Sequence, residues 1–355
     1  MHKKNSENFK ISSLILSIFG FLSLIILLAF DKFYWPSYIL EERWPDFSIS
    51  YLIRGAIILV SVLALTMAFI GSKRPKLKLF NSDRFRLSEL SILLTFLFAV
   101  IVLFLFIFKS KLFSALSLED EIVEWASTLF LFAGSFVFII TLFRHWSTNG
   151  LTKFVKFSLL FLAFGFFVLA MEEISWFQRV LEIETPKAFE KNMQNEMNFH
   201  NFASSLMENI FYLGIWAFLV VLPFLYLLFS FISQNTYFQI FIARPFVVLI
   251  GAIGVAYNFD MWNILFTQIA FYGTLFILIA FYYFSRYKKE KYYLLATLIL
   301  MLVSQLLFLN NGIRFERLWE VTEYKEFFIA LALFVYSLDV FAYLHRFTIK
   351  SGKSV

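Results

Sequence analysis

Residues 157–179 read FSLLFLAFGFFVLAMEEISWFQR, an almost uninterrupted apolar run that ends in two adjacent glutamates, Glu172 and Glu173. A run of this length and polarity predicts a helix that crosses a membrane. Charged groups at membrane depth are costly, and the C-terminal end of a helix disfavours carboxylates in particular. We therefore take this pair of glutamates as the first candidate for a functional site.

The composition of the whole chain predicts an integral membrane protein. Its 355 residues are 60% hydrophobic and 16% charged, whereas soluble domains are roughly half apolar and about a quarter charged. The absence of cysteine excludes a disulfide framework, a thiolate metal site and a cysteine nucleophile. We predict an all-α fold, a polytopic transmembrane helix bundle that forms a single integral membrane domain over residues 1–355.

Hydropathy predicts about ten spans. They cover residues 11–30, 51–70, 88–108, 122–143, 157–177, 206–231, 245–258, 261–284, 292–309 and 323–344. The seventh span is short, because about fourteen residues at about 1.5 Å each cover only about 21 Å of a hydrocarbon core of roughly 30 Å. We expect this span to be thinned or tilted and to lie beside protein rather than lipid.

The charges that flank the spans predict the topology. Most of the 31 basic residues fall in segments on the side of the N-terminus, so we expect cytoplasmic N- and C-termini in a multi-pass protein of the cell's plasma (inner) membrane. Of the 25 acidic residues, the only ones on that side are Glu7, Asp83, Glu89, Glu290 and Asp339. The extracytoplasmic face is therefore predicted to be acidic.

The predicted partners are the lipid bilayer and a lipid-linked substrate. The net charge of +6 does not indicate a nucleic-acid partner, because the basic loops that produce it lie against anionic lipid. The sequence carries no signal for an oligomeric state.

Residues 178–205 are predicted to form an extracytoplasmic loop. Thr185 followed by Pro186 is typical of a helix start, so we expect an interfacial helix across residues 186–201. If the preceding span stays helical, Glu172 and Arg179 share one face and can pair.

His200 is the one histidine available to the predicted acidic face, because the other three fall on the cytoplasmic side. Glu196 lies four residues before it on the predicted interfacial helix, and His200 is expected to face the bundle. With Glu172 and Glu173, His200 could bind a divalent metal or form an acid–base pair. The alternative is a polar interface residue bonded to a carbonyl group. The candidate catalytic set is Glu172, Glu173, His200 and Arg179, and the candidate metal ligands are Glu172, Glu173 and His200.

Two more acidic stretches enter predicted spans from the same face. One runs from Glu119 to Glu124, and the other includes Glu316, Glu320, Glu323 and Glu326. Acids in the first turn of a helix accept hydrogen bonds from free amide groups and interact favourably with the helix dipole. Each stretch is therefore consistent with two interpretations, helix capping and a functional site. We predict Glu124, Glu196, Glu320, Glu323 and Asn201 as supporting residues.

The landmarks Glu172-Glu173-Ile-Ser-Trp-x-Gln-Arg179, Glu184-Thr-Pro186 and Asn198-x-His200-Asn201 resemble a set of bacterial multi-span membrane proteins without an assigned activity. Those proteins carry Gly between the Trp and the Gln, whereas this chain has Phe177. The Glu-Glu pair followed by Arg is also distantly similar to the first motif of CAAX-type intramembrane proteases. In that family Arg follows the second Glu by four residues, whereas Arg179 follows Glu173 by six, and the family's later His positions are absent here.

Three functions remain open at this point. The first is an extracytoplasmic-facing hydrolase or transferase that acts on a lipid-linked or membrane-embedded substrate, with Arg179 holding an anionic group such as a lipid phosphate. The second is a proton- or cation-coupled transporter that uses the same acids. The third is a structural membrane protein whose acids form ion pairs. Polar residues concentrate at the acidic face and are sparse in the middle of the spans, which favours the enzyme.

Overall fold

The computed structural model describes residues 2–36, 39–71, 73, 75–80, 85–146, 151–192 and 195–351, except the side chains of residues 2–10, 85, 86, 200 and 347–351. The described chain is all-α. Its helices are α1 (His2–Tyr34), α2 (Ile49–Ile70), α3 (Phe85–Phe108), α4 (Ser110–Leu116), α5 (Ile122–Arg144), α6 (Lys153–Glu173), α7 (Ser204–Leu228), α8 (Ser230–Ser233), α9 (Thr236–Phe241), α10 (Pro245–Val255), α11 (Leu265–Phe284), α12 (Lys288–Asn310) and α13 (Glu320–Ser351).

Nine of the helices in the described ranges are long and apolar enough to cross a membrane. They are α1, α2, α3, α5, α6, α7, α11, α12 and α13. The tenth predicted span corresponds to α13, and the seventh to the shorter helix α10. The protein is therefore a polytopic helical membrane protein, as the hydropathy pattern predicts.

Contacts near the ends of the helices define two ends of the bundle. At one end Arg144 contacts His345 and Lys289 forms an ion pair with Glu89, and we call this the basic end. At the other end the Arg314 side chain donates to the Ile107 carbonyl, and we call this the acidic end. The acidic end holds the loops that connect α1 to α2, α3 to α5, α6 to α7, α10 to α11 and α12 to α13.

Helix α10 crosses the bundle although it has only 11 residues. Arg244, which precedes it, forms a 3.0 Å ion pair with Asp339 of α13, and Asn258, which follows it, bonds to Lys325 of α13. The fourteen residue-to-residue steps from 325 to 339 span about 21 Å of helix, so α10 and the few residues after it connect the two ends. Every residue of 246–254 is buried, which confirms that this span lies beside protein.

The chain after α10 runs without helix from residue 256 to residue 264, and every residue of this segment is buried. Side chains supply the hydrogen bonds that a helix would otherwise provide. Gln305 of α12 donates to the Asn258 carbonyl at 2.6 Å, and Asn263 donates to the Trp44 carbonyl at 2.7 Å. Non-helical backbone at this depth is stable only where protein satisfies it. The predicted eighth span therefore begins at Leu265 and not at residue 261.

Aromatic rings hold this segment against α12, α13 and the loop between them. Tyr257 packs on Phe308 and Phe328, and Phe259 packs on Phe315 at a centroid distance of 4.6 Å. Such ring pairs contribute roughly 0.5–1.5 kcal/mol each beyond their burial. The 51 Phe residues of the chain thus serve packing inside the bundle as well as contact with lipid.

A buried ion pair joins α1 to α2. Arg54 Nη2 lies 2.5 Å from Asp31 Oδ2, and Arg54 Nε donates to both Asp31 oxygens at 3.0 Å. Both side chains are almost completely inaccessible, with exposures of 2% and 0%. Since α1 is otherwise largely exposed along its apolar surface, this pair fixes its position against α2.

We expect Asp31→Ala to lower the free energy of unfolding by about 3–5 kcal/mol, because it leaves the Arg54 guanidinium buried without a partner. The double variant Asp31→Leu, Arg54→Met removes both charges, so its free energy of unfolding should fall much less. The measurement is thermal unfolding in detergent, with Arg43→Ala of the exposed Arg43–Glu41 pair as the control. A single variant no less stable than the double variant would contradict the prediction.

Candidate functional site

Helix α6 stops at Glu173, and the backbone then turns sharply. Ser175, Trp176 and Phe177 all have positive φ, of 46°, 54° and 61°. Non-glycine residues rarely adopt this left-handed conformation, which costs roughly 1–2 kcal/mol per residue. The predicted continuation of the helix to residue 177 is therefore wrong, and the turn directs the chain back across the acidic end.

Glu172 holds this turn to the loop that follows. Trp176 Nε1 donates to Glu172 Oε1 at 2.7 Å, and the Phe199 backbone N–H donates to Glu172 Oε2 at 2.7 Å. Both carboxylate oxygens are thus engaged in structural hydrogen bonds. The expected pairing of Glu172 with Arg179 is wrong, because Arg179 lies beyond the turn and contacts other acids.

The loop between α6 and α7 is built from side-chain hydrogen bonds rather than from a helix. Ser175 donates to Glu196 Oε2 at 2.6 Å, and the Met197 backbone N–H donates to Gln178 Oε1 at 2.5 Å. Asn192 donates to the Glu196 carbonyl at 2.5 Å. The predicted interfacial helix across 186–201 is wrong in the described part of that range, where turns replace it until a 3-10 helix at His200–Phe202. Short polar side chains that bond to backbone groups compete with helix formation.

Arg179 is the centre of an ion-pair cluster that joins this loop to the start of α5. Its guanidinium nitrogens lie 2.6 Å from Glu124 Oε1, 2.7 Å from Glu196 Oε1, 2.9 Å from Asp120 Oδ2 and 3.4 Å from Glu119 Oε2. Burial lowers the pKa of Arg179, but the carboxylates of Glu124 and Glu196 act in the opposite direction, so that its pKa lies above the usual value. Arg179 is therefore surrounded by acids and is not placed to hold an anionic ligand.

Glu173 faces carboxylates from two other helices. Its charge interacts with those of Glu124, Glu323 and Glu326, and Glu323 interacts in turn with Glu124 and Glu326. These four acids come from α5, α6 and α13, and we call them the carboxylate cluster. Among the side chains that the structure describes, no Lys or Arg lies within 4.0 Å of Glu173 or Glu323. Glu124 has Arg179 as its counter-ion, whereas Glu173 and Glu323 face mainly other carboxylates, an arrangement that is costly at membrane depth and usually serves a site.

The remaining predicted residues have structural roles or lie apart. Glu320 is fully buried and accepts hydrogen bonds from the backbone N–H groups of Glu316 and Arg317 and from Ser114 Oγ. Asn201 is buried and accepts a hydrogen bond from Ser204 at the start of α7. The His200 backbone begins the 3-10 helix, and its side chain lies outside the described part of the chain.

The predicted divalent metal site includes His200, whose side chain lies outside the described part of the chain, so this site stays a prediction. No group of three or more His, Asp and Glu residues among the described side chains is placed to hold a metal ion. Both oxygens of Glu172 accept hydrogen bonds, and Glu173 faces acids from other helices.

Next to the carboxylate cluster lies a buried lysine that sequence reasoning missed. Lys325 of α13 is 5% exposed, and its Nζ donates to Asn258 Oδ1 at 2.9 Å. The same nitrogen lies 3.9 Å from the ring centroid of Tyr212, whose hydroxyl donates to Glu326 Oε1 at 2.5 Å. A single Lys between Glu323 and Glu326, inside an apolar span, was the available sequence signal, since charge at this depth usually marks a site.

Asp260 lies on the other side of Lys325, in the non-helical segment after α10. Thr322 Oγ1 donates to its two carboxylate oxygens at 2.9 Å. Burial raises the pKa of Asp260 and the charge of Glu42 raises it further, while Thr322 and Lys325 oppose the shift. The result is a pKa of about 7.

No protein-family model, curated protein or solved structure matches this chain. The functional assignment therefore rests on the geometry of the acidic end.

Arg179→Gln should destabilise the protein by about 3–5 kcal/mol at neutral pH, because it leaves Glu124, which is buried, without its counter-ion. The loss should shrink at mildly acidic pH, since protonation removes the repulsion among the freed carboxylates. Thermal unfolding across pH measures both effects. Lys187→Gln, an exposed cation of the same loop, is the matched control, and an equal loss in both variants would contradict the prediction.

Asp260 should make stability depend on pH. Its pKa of about 7 in the folded protein lies above the ordinary value of 3.8, so its stabilising contribution is present below the ordinary pKa and is lost as the pH rises through about 7. We expect the Tm of the wild type to fall more steeply between about pH 5 and about pH 8 than that of Asp260→Asn. Glu190→Gln, an exposed acid, should keep the wild-type slope, and identical slopes for all three would refute this assignment.

Proposed function

We propose that this protein is an enzyme of the bacterial plasma membrane, a hydrolase or transferase whose site opens to the extracytoplasmic side. Its substrate is a lipid-linked or membrane-embedded molecule. The observation that supports this most directly is that Glu173 and Glu323 come from two membrane helices and their charges interact, while no Lys or Arg among the described side chains lies within ion-pair distance of either. Ionisable groups held in this way at membrane depth usually serve a site.

General acid–base catalysis is the chemistry that the cluster supports. Because Glu173 and Glu323 repel each other, one carboxyl retains a proton while the other is ionised. The ionised group takes a proton from water or an acceptor hydroxyl as its oxygen attacks, and the protonated group gives its proton to the departing oxygen. Glu124 and Arg179 hold the start of α5 and the loop in place around this pair, and Glu172 closes the turn.

The roles of the predicted catalytic set therefore differ within the proposal. Glu173 acts directly, whereas Glu172 and Arg179 are positioning residues, because their polar atoms are engaged with the loop and with α5. Glu323, which the sequence predicted as a supporting residue, acts directly in this proposal. His200 stays a candidate by its position at the end of the loop.

A proton- or cation-coupled transporter is the second candidate. The observation that favours it is the short helix α10 followed by buried non-helical chain at residues 256–264, an arrangement found at the ion sites of transporters with broken helices. The weaker point is that α13 carries few polar residues between Lys325 and the Arg244–Asp339 pair at the basic end: they are Glu326, Tyr336 and Ser337.

Glu173→Gln and Glu323→Gln should each lower turnover at least about 100-fold, because each removes one half of an acid–base pair. The assay is product formation in nanodiscs of bacterial polar lipids, followed by liquid chromatography and mass spectrometry. Glu190→Gln should keep the wild-type rate, and thermal unfolding should show that all variants are folded.

Wild-type rates in both glutamine variants would reject the catalytic roles. Proton uptake by proteoliposomes that requires Glu173, together with an absence of lipid products, would instead assign the cluster to transport.

A further inference from the structure

The part of the α6–α7 loop nearest to α7 has polar side chains inside and aromatic side chains outside. Asn198 and Asn201 are only 2% and 3% exposed, and Glu196 is also buried. In contrast, Phe199 is 61% exposed and Phe202 is 49% exposed. A loop surrounded by water shows the opposite distribution, because exposed aromatic surface is unfavourable in water and polar groups are readily hydrated.

Hydrogen bonds fix this part of the loop to the end of α6. Asn198 Nδ2 donates to Ser175 Oγ at 3.1 Å and to Glu196 Oε2 at 3.0 Å. The Phe199 backbone N–H donates to Glu172 Oε2 at 2.7 Å. The exposure of the aromatic side chains is therefore a property of the folded loop, since the polar groups beside them are held on its inner side.

Three rings of the loop form one apolar surface. Phe189 contacts Phe199 at a centroid distance of 5.4 Å and Phe202 at 5.5 Å, and we call these three residues the aromatic patch. Phe202 lies two residues before the start of α7, and Leu206 and Ile210, one turn apart on α7, are 45% and 59% exposed. Exposed apolar surface thus continues from the first turns of a long apolar helix into the loop.

Other aromatic side chains at the acidic end indicate where the bilayer boundary lies. Tyr34 ends α1 and Trp319 directly precedes α13, and both are exposed. Tyr and Trp at the ends of membrane helices are typical of the boundary between lipid headgroups and acyl chains. The aromatic patch lies at the same end of the bundle, beside the start of α7.

We propose that the aromatic patch is inserted into the leaflet of the bilayer at the acidic end, at the boundary between headgroups and acyl chains. The partner of this surface is lipid rather than a second protein, because the patch continues the exposed apolar surface of α7. Amphipathic segments at this boundary place their apolar face about 5–10 Å deep. The polar inner side of the loop then faces the protein, where its hydrogen bonds are made.

Insertion of the patch also determines how a substrate reaches the carboxylate cluster, a step that rests on the proposed function. Phe199 is bonded through its backbone to Glu172, the chain neighbour of Glu173. Lipid around the patch therefore lies close to the proposed catalytic pair, and a lipid-linked substrate reaches Glu173 from this leaflet and not from water. The depth of the patch can be measured without turnover, so the two proposals can fail separately.

The test uses single spin labels, because the chain has no cysteine and an introduced one is the only attachment site. Phe199→Cys and Phe202→Cys are compared with Lys187→Cys, at an exposed position of the same loop, in vesicles of phosphatidylethanolamine and phosphatidylglycerol. Electron paramagnetic resonance measures the accessibility of each label to oxygen and to a water-soluble nickel complex. We expect labels at 199 and 202 to lie about 5–10 Å deep, with a severalfold higher oxygen-to-nickel ratio than at 187.

Thermal unfolding should show that all three labelled variants are folded, since each replaced side chain is exposed. Nickel accessibility at 199 and 202 equal to that at 187 would overturn the proposal, because the patch would then lie in water. Protection of both positions from both reagents would also overturn it, in favour of a protein partner. Insertion as expected without any lipid product would leave this surface standing and reject the proposed enzyme, whereas product formation with the patch in water would do the reverse.

Discussion

Every polar group that leaves a regular helix inside a bilayer must find its hydrogen-bond partner within the protein, because the hydrocarbon core supplies none. The non-helical segment 256–264 meets this requirement with Gln305, Asn263 and the loop at residue 44. Arg54 finds its partner in Asp31, and Lys325 donates a hydrogen bond to Asn258. The architecture of the acidic end follows from this constraint, since each break in a helix brings in a polar side chain from a neighbouring helix.

The same constraint separates two kinds of acid at this end. Glu172, Glu196 and Glu320 accept several hydrogen bonds each and hold loops in place. Glu173 and Glu323 face mainly other carboxylates. Neither the position of a residue along the chain nor its neighbours in sequence distinguishes the two kinds, because Glu172 and Glu173 are adjacent and differ in role.

Hydropathy was sufficient to predict the helices, because a run of about twenty apolar residues has only one stable conformation in lipid. It also identified α10 as short and surrounded by protein. The loop after α6 could not be predicted in this way. A proline after a threonine is typical of a helix start. Here, however, Ser175 bonds to Glu196, 21 residues later, and Gln178 bonds to Met197, 19 residues later, while Asn192 bonds to the nearby Glu196 carbonyl. The two long-range pairs leave no periodic signal in the sequence. Lys325 was overlooked for a related reason, since its environment comes from α7 and from residue 258.

The short helix α10 also bears on how the protein enters the membrane. An 11-residue helix is too short to span lipid alone, and the segment that follows it depends on α12 and α13 for its hydrogen bonds. Both α12 and α13 follow α10 in the chain and therefore leave the ribosome after it. The middle of the chain must therefore wait near the insertion machinery, or in an incomplete bundle, until α13 arrives, so the acidic end is assembled only after α13 has entered the membrane.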